Sequence, residues 1–436
     1  MKVAIVGAGW AGMAAAVRVL QAGHTATVFE ASRSTGGRAR AVNGKLPDGS
    51  TVILDNGQHI LIGAYTETLR LMRLVGVSPE ATLLRLPLTL KFPDGRGLQF
   101  PDWPAPLDAL VGILGARGWD LADKLSLLRA AAGWQMAGFA CPPSQSVTQL
   151  CHRVSPRVMA DLIEPLCVSA LNTPADRASA QVFLRVMHDA LLGSKGSSNL
   201  LVPRVDLSAL FPQAAANWIE QRCGHLRLGT RIAGLQTAAA GEPGRWQINC
   251  EPFDVVILAT SASNAAHILT ESALLATSSV ATCINGWVRT TAALRYEAIT
   301  SVYAWAPNAA LPCPMLTLRS QPGLPAQFVF DRGQLGGPPG LLAFVVSAST
   351  DERDVVQTQV LAQAHSQLGL GLQPVQTIVE KRATFACTPG LVRPPMHIAP
   401  GLLACGDYVD GPYPATLEGA VRSGLAAAEA VDVTPP

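Results

Sequence analysis

The sequence predicts an α/β fold in two units: a discontinuous dinucleotide-binding domain, and an inserted α+β domain with a helical cap. Three observations carry this reading. A strand–glycine loop–helix–strand unit fills the first 30 residues, and a buried strand followed by Gly-Asp and a strong helix stands at the far end of the chain. The chain has 436 residues, which at roughly 100–200 per domain is too many for one small core.

Lys2–Val6 is a short apolar strand, and Gly7-Ala8-Gly9-Trp10-Ala11-Gly12 follows it directly. Met13–Gln21 is helix-forming and ends before Gly23, while Thr25–Phe29 leads into Glu30, 18 positions beyond Gly12. GxGxxG alone is a weak signal; here it has the strand, the helix and the acid that a dinucleotide fingerprint requires. Leu84–Phe100 reads as two strands around the Pro93-Asp94-Gly95 turn. Pro106 to about Ala190 is helical, broken by prolines. His225–Gln236, Arg245–Cys250 and Asp254–Thr260 read as three strands, the first two joined by a turn at Gly241–Gly244. From Ile284 to Ala386 further strands are expected, with one helix near Val355–Leu368. Gly401–Cys405 is a final buried strand and Ala415–Val431 a final helix. These elements divide the chain into a nucleotide-binding domain at 1–65, 218–265 and 395–436, and a substrate domain at 66–217 and 266–394.

Composition excludes several classes. Hydrophobic residues make up 49% and charged residues 15%, against about 25% charged in a typical domain; an unfolded chain does not look like this. The net charge of +2 is far from the basic excess of a nucleic-acid binder. No apolar run reaches the ~18 residues of a membrane span. The N-terminus resembles a signal peptide superficially, but its motif glycines and Arg18 argue against one. Nine scattered cysteines without a CxxC pair point to reduced thiols in a cytoplasm, with neither a disulfide framework nor a metal site.

The glycines have separate tasks. Gly7 permits the tight turn, Gly9 admits a pyrophosphate near Trp10 and Ala11, and Gly12 lets helix and strand approach. The helix N-terminus offers free N–H groups to the phosphates. Glu30 is expected to accept from ribose hydroxyls, which disfavours a 2′-phosphate and leaves NAD or FAD. Gly36-Gly37-Arg38 resembles the extension found in FAD enzymes of the glutathione-reductase and amine-oxidase superfamily, with the arginine beside the diphosphate. Gly406-Asp407 resembles the superfamily's ribityl-binding turn, and Thr416-Leu417 opens a helix aimed at the flavin. Within that helix Ala420 and Gly424 make a small-residue face expected to press on the sheet.

Asp55–Tyr65, Glu164–Pro174 and Pro414–Gly424, with Ala178–Arg185 and Leu201–Ser208, resemble the hydroxysqualene dehydroxylases, relatives of the phytoene desaturases. The likeness covers most of the chain and is weakest over 265–390. Tyr408–Tyr413 departs from it, because a Trp-Thr-type start is expected after the Gly-Asp. The resemblance implies a Rossmann-like, glutathione-reductase-type FAD domain holding FAD non-covalently, with Gly57, Gln58 and Ile232 among the cofactor-binding residues. It further implies reductive loss of an allylic hydroxyl from a long isoprenoid, giving squalene for hopanoid synthesis. That reaction needs an acid, a dry apolar chamber and a fixed flavin.

Candidate acids are His59, which follows Gly57-Gln58, and Glu164; Asp55 is read as fixing the turn into Gly57, and Lys195 and Arg204 as solvated. No second GxGxxG is present for NAD(P)H, which leaves a redox partner and free reduced nicotinamide both open as electron donor. Trp103–Ala140 mixes apolar and charged residues, as either a helical cap or an amphipathic hairpin that dips into the cytoplasmic face of the inner membrane. Two other readings share the fold: an oxidative carotenoid-type desaturase, and a non-catalytic isoprenoid carrier.

Overall fold

The computed structural model describes residues 1–191, 193–238 and 245–432. The turn expected at Gly241–Gly244 lies outside them. A six-stranded sheet runs in the order His225–Leu228, Thr25–Glu30, Lys2–Val6, Val255–Leu258, Leu402–Ala404, His397–Ala399. The first five strands are parallel and the last pairs antiparallel. Val255–Leu258 is buried throughout, as a strand covered on both faces must be. Its neighbours, Val3–Val6 and Leu402–Ala404, come from opposite ends of the chain. The nucleotide domain is thus assembled from distant pieces, as its sequence pattern predicts.

The first helix, Trp10–Gln21, is buried along most of its length. It lies against the final helix, Leu417–Asp432, and Pro212–Glu220 packs beside it. The same core takes in Leu69, Leu71, Met72, Leu207 and Phe211, so the nucleotide-binding layer reaches into 66–83 and 200–217, beyond the expected boundaries.

A second, antiparallel sheet has the order Met315–Thr317, Phe328–Asp331, Leu341–Ser347, Tyr296–Trp305, Gln373–Phe385. Strand alternation divides its side chains. Val302, Val329 and Phe344 pack on the helix Arg353–Leu368, while Phe328, Phe330 and Val345 point to the other side, into a cavity. The cap consists chiefly of Leu107–Leu114, Leu121–Met136, Glu164–Leu171 and Ala180–Leu191, with a π-turn at Met159–Ile163. Asn172 ends the third of these helices in the left-handed region at φ 46°. Its side chain donates to Glu297 O and Thr384 Oγ1 and accepts from Ala348 N–H, which ties the cap to the second sheet.

Two expectations are corrected. The strand expected over His225–Gln236 stops at Leu228, because Gly229 (φ 68°) turns the chain and its N–H donates to Ser32 O. Ile284–Ala292 is helical, within Ser278–Ala292; Ile284, Trp287 and Thr291 fall on one buried face at helical spacing. The hairpin around Pro93-Asp94-Gly95 is present, with Thr89–Lys91 paired to Gly97–Gln99.

Candidate active site

One cavity of about 660 Å³ joins the two domains. At one end the first strand passes into Gly7, whose φ of 114° only glycine adopts comfortably and whose added Cβ would meet Ala259 O at 2.6 Å. A Cβ on Gly12 would lie 1.9 Å from Gly7 O, so this glycine serves helix–loop packing. Gly9 is different: a Cβ there would meet only Gly37 Cα, at 4.0 Å, and the open side is cavity. No side chain caps the helix that starts at Trp10. A glycine cradle and an uncapped helix N-terminus suit a diphosphate. Trp10 fastens the loop by donating from Nε1 to Ala39 O at 3.2 Å.

Glu30 accepts from Ala8 N–H (2.8 Å) and Ser32 N–H (2.7 Å), one on each carboxylate oxygen. It therefore shapes the loop as well as lining the cavity where the expected ribose would lie. Glu30→Ala is expected to lower FAD affinity at least tenfold, since charge-assisted bonds are worth about 1.5–3 kcal/mol each. Flavin titration of the apoprotein measures this; unchanged affinity would mean that the first βαβ unit does not hold the adenosine end.

Gly36-Gly37-Arg38 folds back beneath the loop, with Gly36 N–H donating to Ala8 O at 2.8 Å. Asn56 staples it: Arg40 N–H donates to Asn56 Oδ1, and Asn56 Nδ2 to Arg38 O. Arg38 forms an ion pair with Asp407, 369 residues away, and donates to Ala383 O at 2.8 Å. Asp407 and Glu380 hold the guanidinium even more firmly protonated than usual, against the opposing effect of burial. Thr416 caps the final helix as expected, accepting from Gly419 N–H at 3.0 Å.

All the cofactor-binding residues expected from the sequence line this cavity except Gly12: Gly7, Gly9, Trp10, Ala11, Glu30, Gly36, Gly37, Arg38, Gly57, Gln58, Ile232, Gly406, Asp407, Thr416 and Leu417. Among the described residues no cysteine lines it, and Cys405 is fully buried elsewhere. Acid precipitation is accordingly expected to release the flavin into the supernatant; colour kept in the pellet would show a covalent link. No group of three His, Cys, Asp or Glu among the described residues is placed for a metal ion.

The other end of the cavity is apolar, walled by Leu98, Phe100, Ile113, Leu127, Trp134 and Phe328 among others. His59 lies between the two ends, beside Gly57. Burial and the nearby Arg38 push its imidazole down to about 4, so it is neutral near pH 7 and lacks the proton an imidazolium acid would give. Glu164 is exposed at the start of its helix and does not line the cavity, which removes it as an acid. Asp55 is buried and accepts from Leu207 N–H at 2.8 Å; it anchors the helix Leu207–Leu210, not the turn into Gly57. Sequence reasoning gave no site role to Asn56, Tyr65, Asp189 or Tyr413, all of which line the cavity.

A doubly wound nucleotide layer, a diphosphate cradle and an apolar chamber at its edge define an FAD-dependent oxidoreductase. The sequence profile of the family described as flavin containing amine oxidoreductase matches residues 10–432, and the chain belongs to that family. It is similar to a hydroxysqualene dehydroxylase of Rhodopseudomonas palustris (strain ATCC BAA-98 / CGA009), 27% identical over 98% of this chain and 97% of that one. A zeta-carotene desaturase of Synechocystis is 40% identical, but over only 29% of this chain and 26% of its own. Among solved structures, an oxidoreductase from Methanosarcina mazei superposes with a TM-score of 0.72 at 16% identity, covering 98% of this chain and 100% of that one; it shares the fold.

Proposed function

We propose that this enzyme removes the allylic hydroxyl of hydroxysqualene and replaces it with hydrogen, giving squalene for hopanoid synthesis. The observation that carries the reading is the continuity of the FAD cradle with a chamber of aliphatic and aromatic walls, of the chemistry a long isoprenoid needs. Similarity to hydroxysqualene dehydroxylases along nearly the whole chain supports it. When bound, reduced FAD supplies a hydride. The protein orients the allylic carbon toward it, excludes water, and helps the oxygen leave as water; substrate, hydride and one proton balance hydrocarbon plus water. Under anaerobic conditions the pre-reduced enzyme should convert hydroxysqualene to squalene, with one flavin oxidised per squalene. If the oxidised enzyme instead dehydrogenates a polyene and hydroxysqualene is untouched, the desaturase reading replaces this one.

The same proposal includes loading from a lipid surface on the cytoplasmic side. The cap helices Leu107–Leu114 and Leu121–Met136 give Ile113, Leu127 and Trp134 to the cavity but turn Leu107, Leu110, Leu114, Leu121 and Met136 outward, Met136 being 89% exposed. No helix among the described residues is long and apolar enough to cross a membrane, so the contact would be interfacial. Flotation with liposomes tests it, and replacing Leu110, Leu114 and Leu121 by serine should abolish flotation while flavin content persists. Flotation unaffected by these changes rejects the surface.

A further inference from the structure

The cavity wall also carries a polar cluster between the cap and the final helix. Asp189 comes from the last turn of the cap helix Ala180–Leu191, Tyr413 from the loop leading into the final helix, and Tyr65 from the start of the helix Thr66–Leu74; all three line the cavity. The rings of Tyr65 and Tyr413 meet edge to face, 6.1 Å apart. The Tyr413 hydroxyl lies beside the Asp189 carboxylate, and Arg422 lies over the Tyr413 ring at 5.1 Å. Asp189 is itself fixed, by Arg185 Nε at 2.8 Å and His188 Nδ1 at 2.9 Å.

The backbone of Tyr413 is also unusual. An aromatic residue at φ 57° is in the left-handed region that favours glycine. Its carbonyl accepts from Thr416 Oγ1 at 2.8 Å, and a Cβ on Gly419 would lie 2.0 Å from that oxygen. The cap of the final helix therefore holds Tyr413 where it is, and the glycine one turn in leaves room for its carbonyl. Strain of about 1–3 kcal/mol of this kind persists where the surroundings impose it, often at functional sites.

We propose that Tyr413 is the catalytic proton donor to the departing allylic oxygen, with Asp189 as the residue that positions its hydroxyl. This rests on the dehydroxylation reading. The C–O bond breaks with both electrons going to oxygen, the Tyr413 O–H proton makes that oxygen a water molecule, and the hydride of reduced FAD forms the new C–H bond. The phenolate then regains its proton from solvent. Burial and the adjacent Asp189 push the Tyr413 hydroxyl up to about 12, so it is protonated at neutral pH yet still far more acidic than the water it forms, at about 15.7. His59 is neutral and Glu164 lies outside the cavity; of the two tyrosines that line it, Tyr413 is the one whose hydroxyl lies beside a carboxylate that lines it too, Asp189.

Tyr413→Phe keeps the ring and removes the donor. With flavin content and spectrum like the wild type, single-turnover squalene formation should fall by about 10²–10⁴-fold, the range of general acid catalysis. The acetate ester of the same alcohol leaves as a stable anion without a proton, and its turnover should change by less than threefold. In the oxidised protein, where nothing turns over, the variant should bind the alcohol about tenfold more weakly and squalene equally well. Asp189→Asn leaves the Tyr413 ring in place and should lower alcohol turnover about tenfold with ester turnover preserved, which gives an independent reading should Tyr413→Phe fold poorly. Equal loss on alcohol and ester, or no loss on the alcohol, overturns the assignment. A wild-type enzyme inert toward the alcohol would instead overturn the dehydroxylation reading itself.

Discussion

Gly424→Ala is expected to destabilise the protein by about 2–4 kcal/mol and to lower FAD affinity with it, although alanine favours a helix by about 1 kcal/mol. The reason is where the new methyl group goes. A Cβ on Gly424 would lie 2.2 Å from Ala11 O and 3.1 Å from Ala15 N, both backbone atoms of the first helix. No flexible side chain can swing aside, so the two helices must separate. Sequence reasoning places this small-residue face against the sheet; its true neighbour is the helix whose first turn forms the diphosphate cradle. For that reason Gly424→Leu should cost both cofactor retention and flavin potential, where a sheet contact would have spared retention. Urea unfolding and flavin titration measure the two losses; wild-type values for both would show that the helices are not in contact at this point.

Glu418→Ala should be comparably damaging, at about 3–5 kcal/mol. Its carboxylate is fully buried. One oxygen accepts from Glu67 N–H at 3.1 Å and Arg422 Nε at 2.7 Å, the other from Thr68 N–H at 2.9 Å and Thr68 Oγ1 at 2.7 Å. An acid in the first turn of the final helix thus caps the helix Thr66–Leu74 from outside, and removing it leaves buried donors unsatisfied. Glu418→Gln keeps one acceptor oxygen and should lose less. A denaturant midpoint for Glu418→Ala equal to that of the wild type would show that the cap is dispensable.

What the sequence made legible follows from the range over which each feature is written. The glycine loop, Glu30, the Gly-Gly-Arg run and the Thr416 cap are local patterns, each complete within a few residues, and the structure brings them to one cavity as expected. The pairings are not local. Arg38 finds Asp407, Asn172 finds the second sheet, and Glu418 finds a helix 350 residues earlier; no spacing in the sequence announces such partners. The helix Ser278–Ala292 was readable from Ile284, Trp287 and Thr291, had their spacing outweighed the strands around them. The two candidate acids were illegible for a different reason: Glu164 and His59 have suitable chemistry, and only the fold shows that one is exposed and the other neutral.

The order of strands in the central sheet also governs when this protein can come into being. Lys2–Val6 is made first, but its neighbour Val255–Leu258 emerges some 250 residues later, and Leu402–Ala404 later still. Loop closure over such separations is slow, and the nascent pair Lys2–Val6 and Thr25–Glu30 must wait with an open edge. Asp407, which completes the pair with Arg38, follows that last strand, and the helix carrying Gly424 follows Asp407. The Arg38–Asp407 pair and the packing of Gly424 on the first helix can therefore form only after residue 400 has been made, so the cavity is completed by the last tenth of the chain.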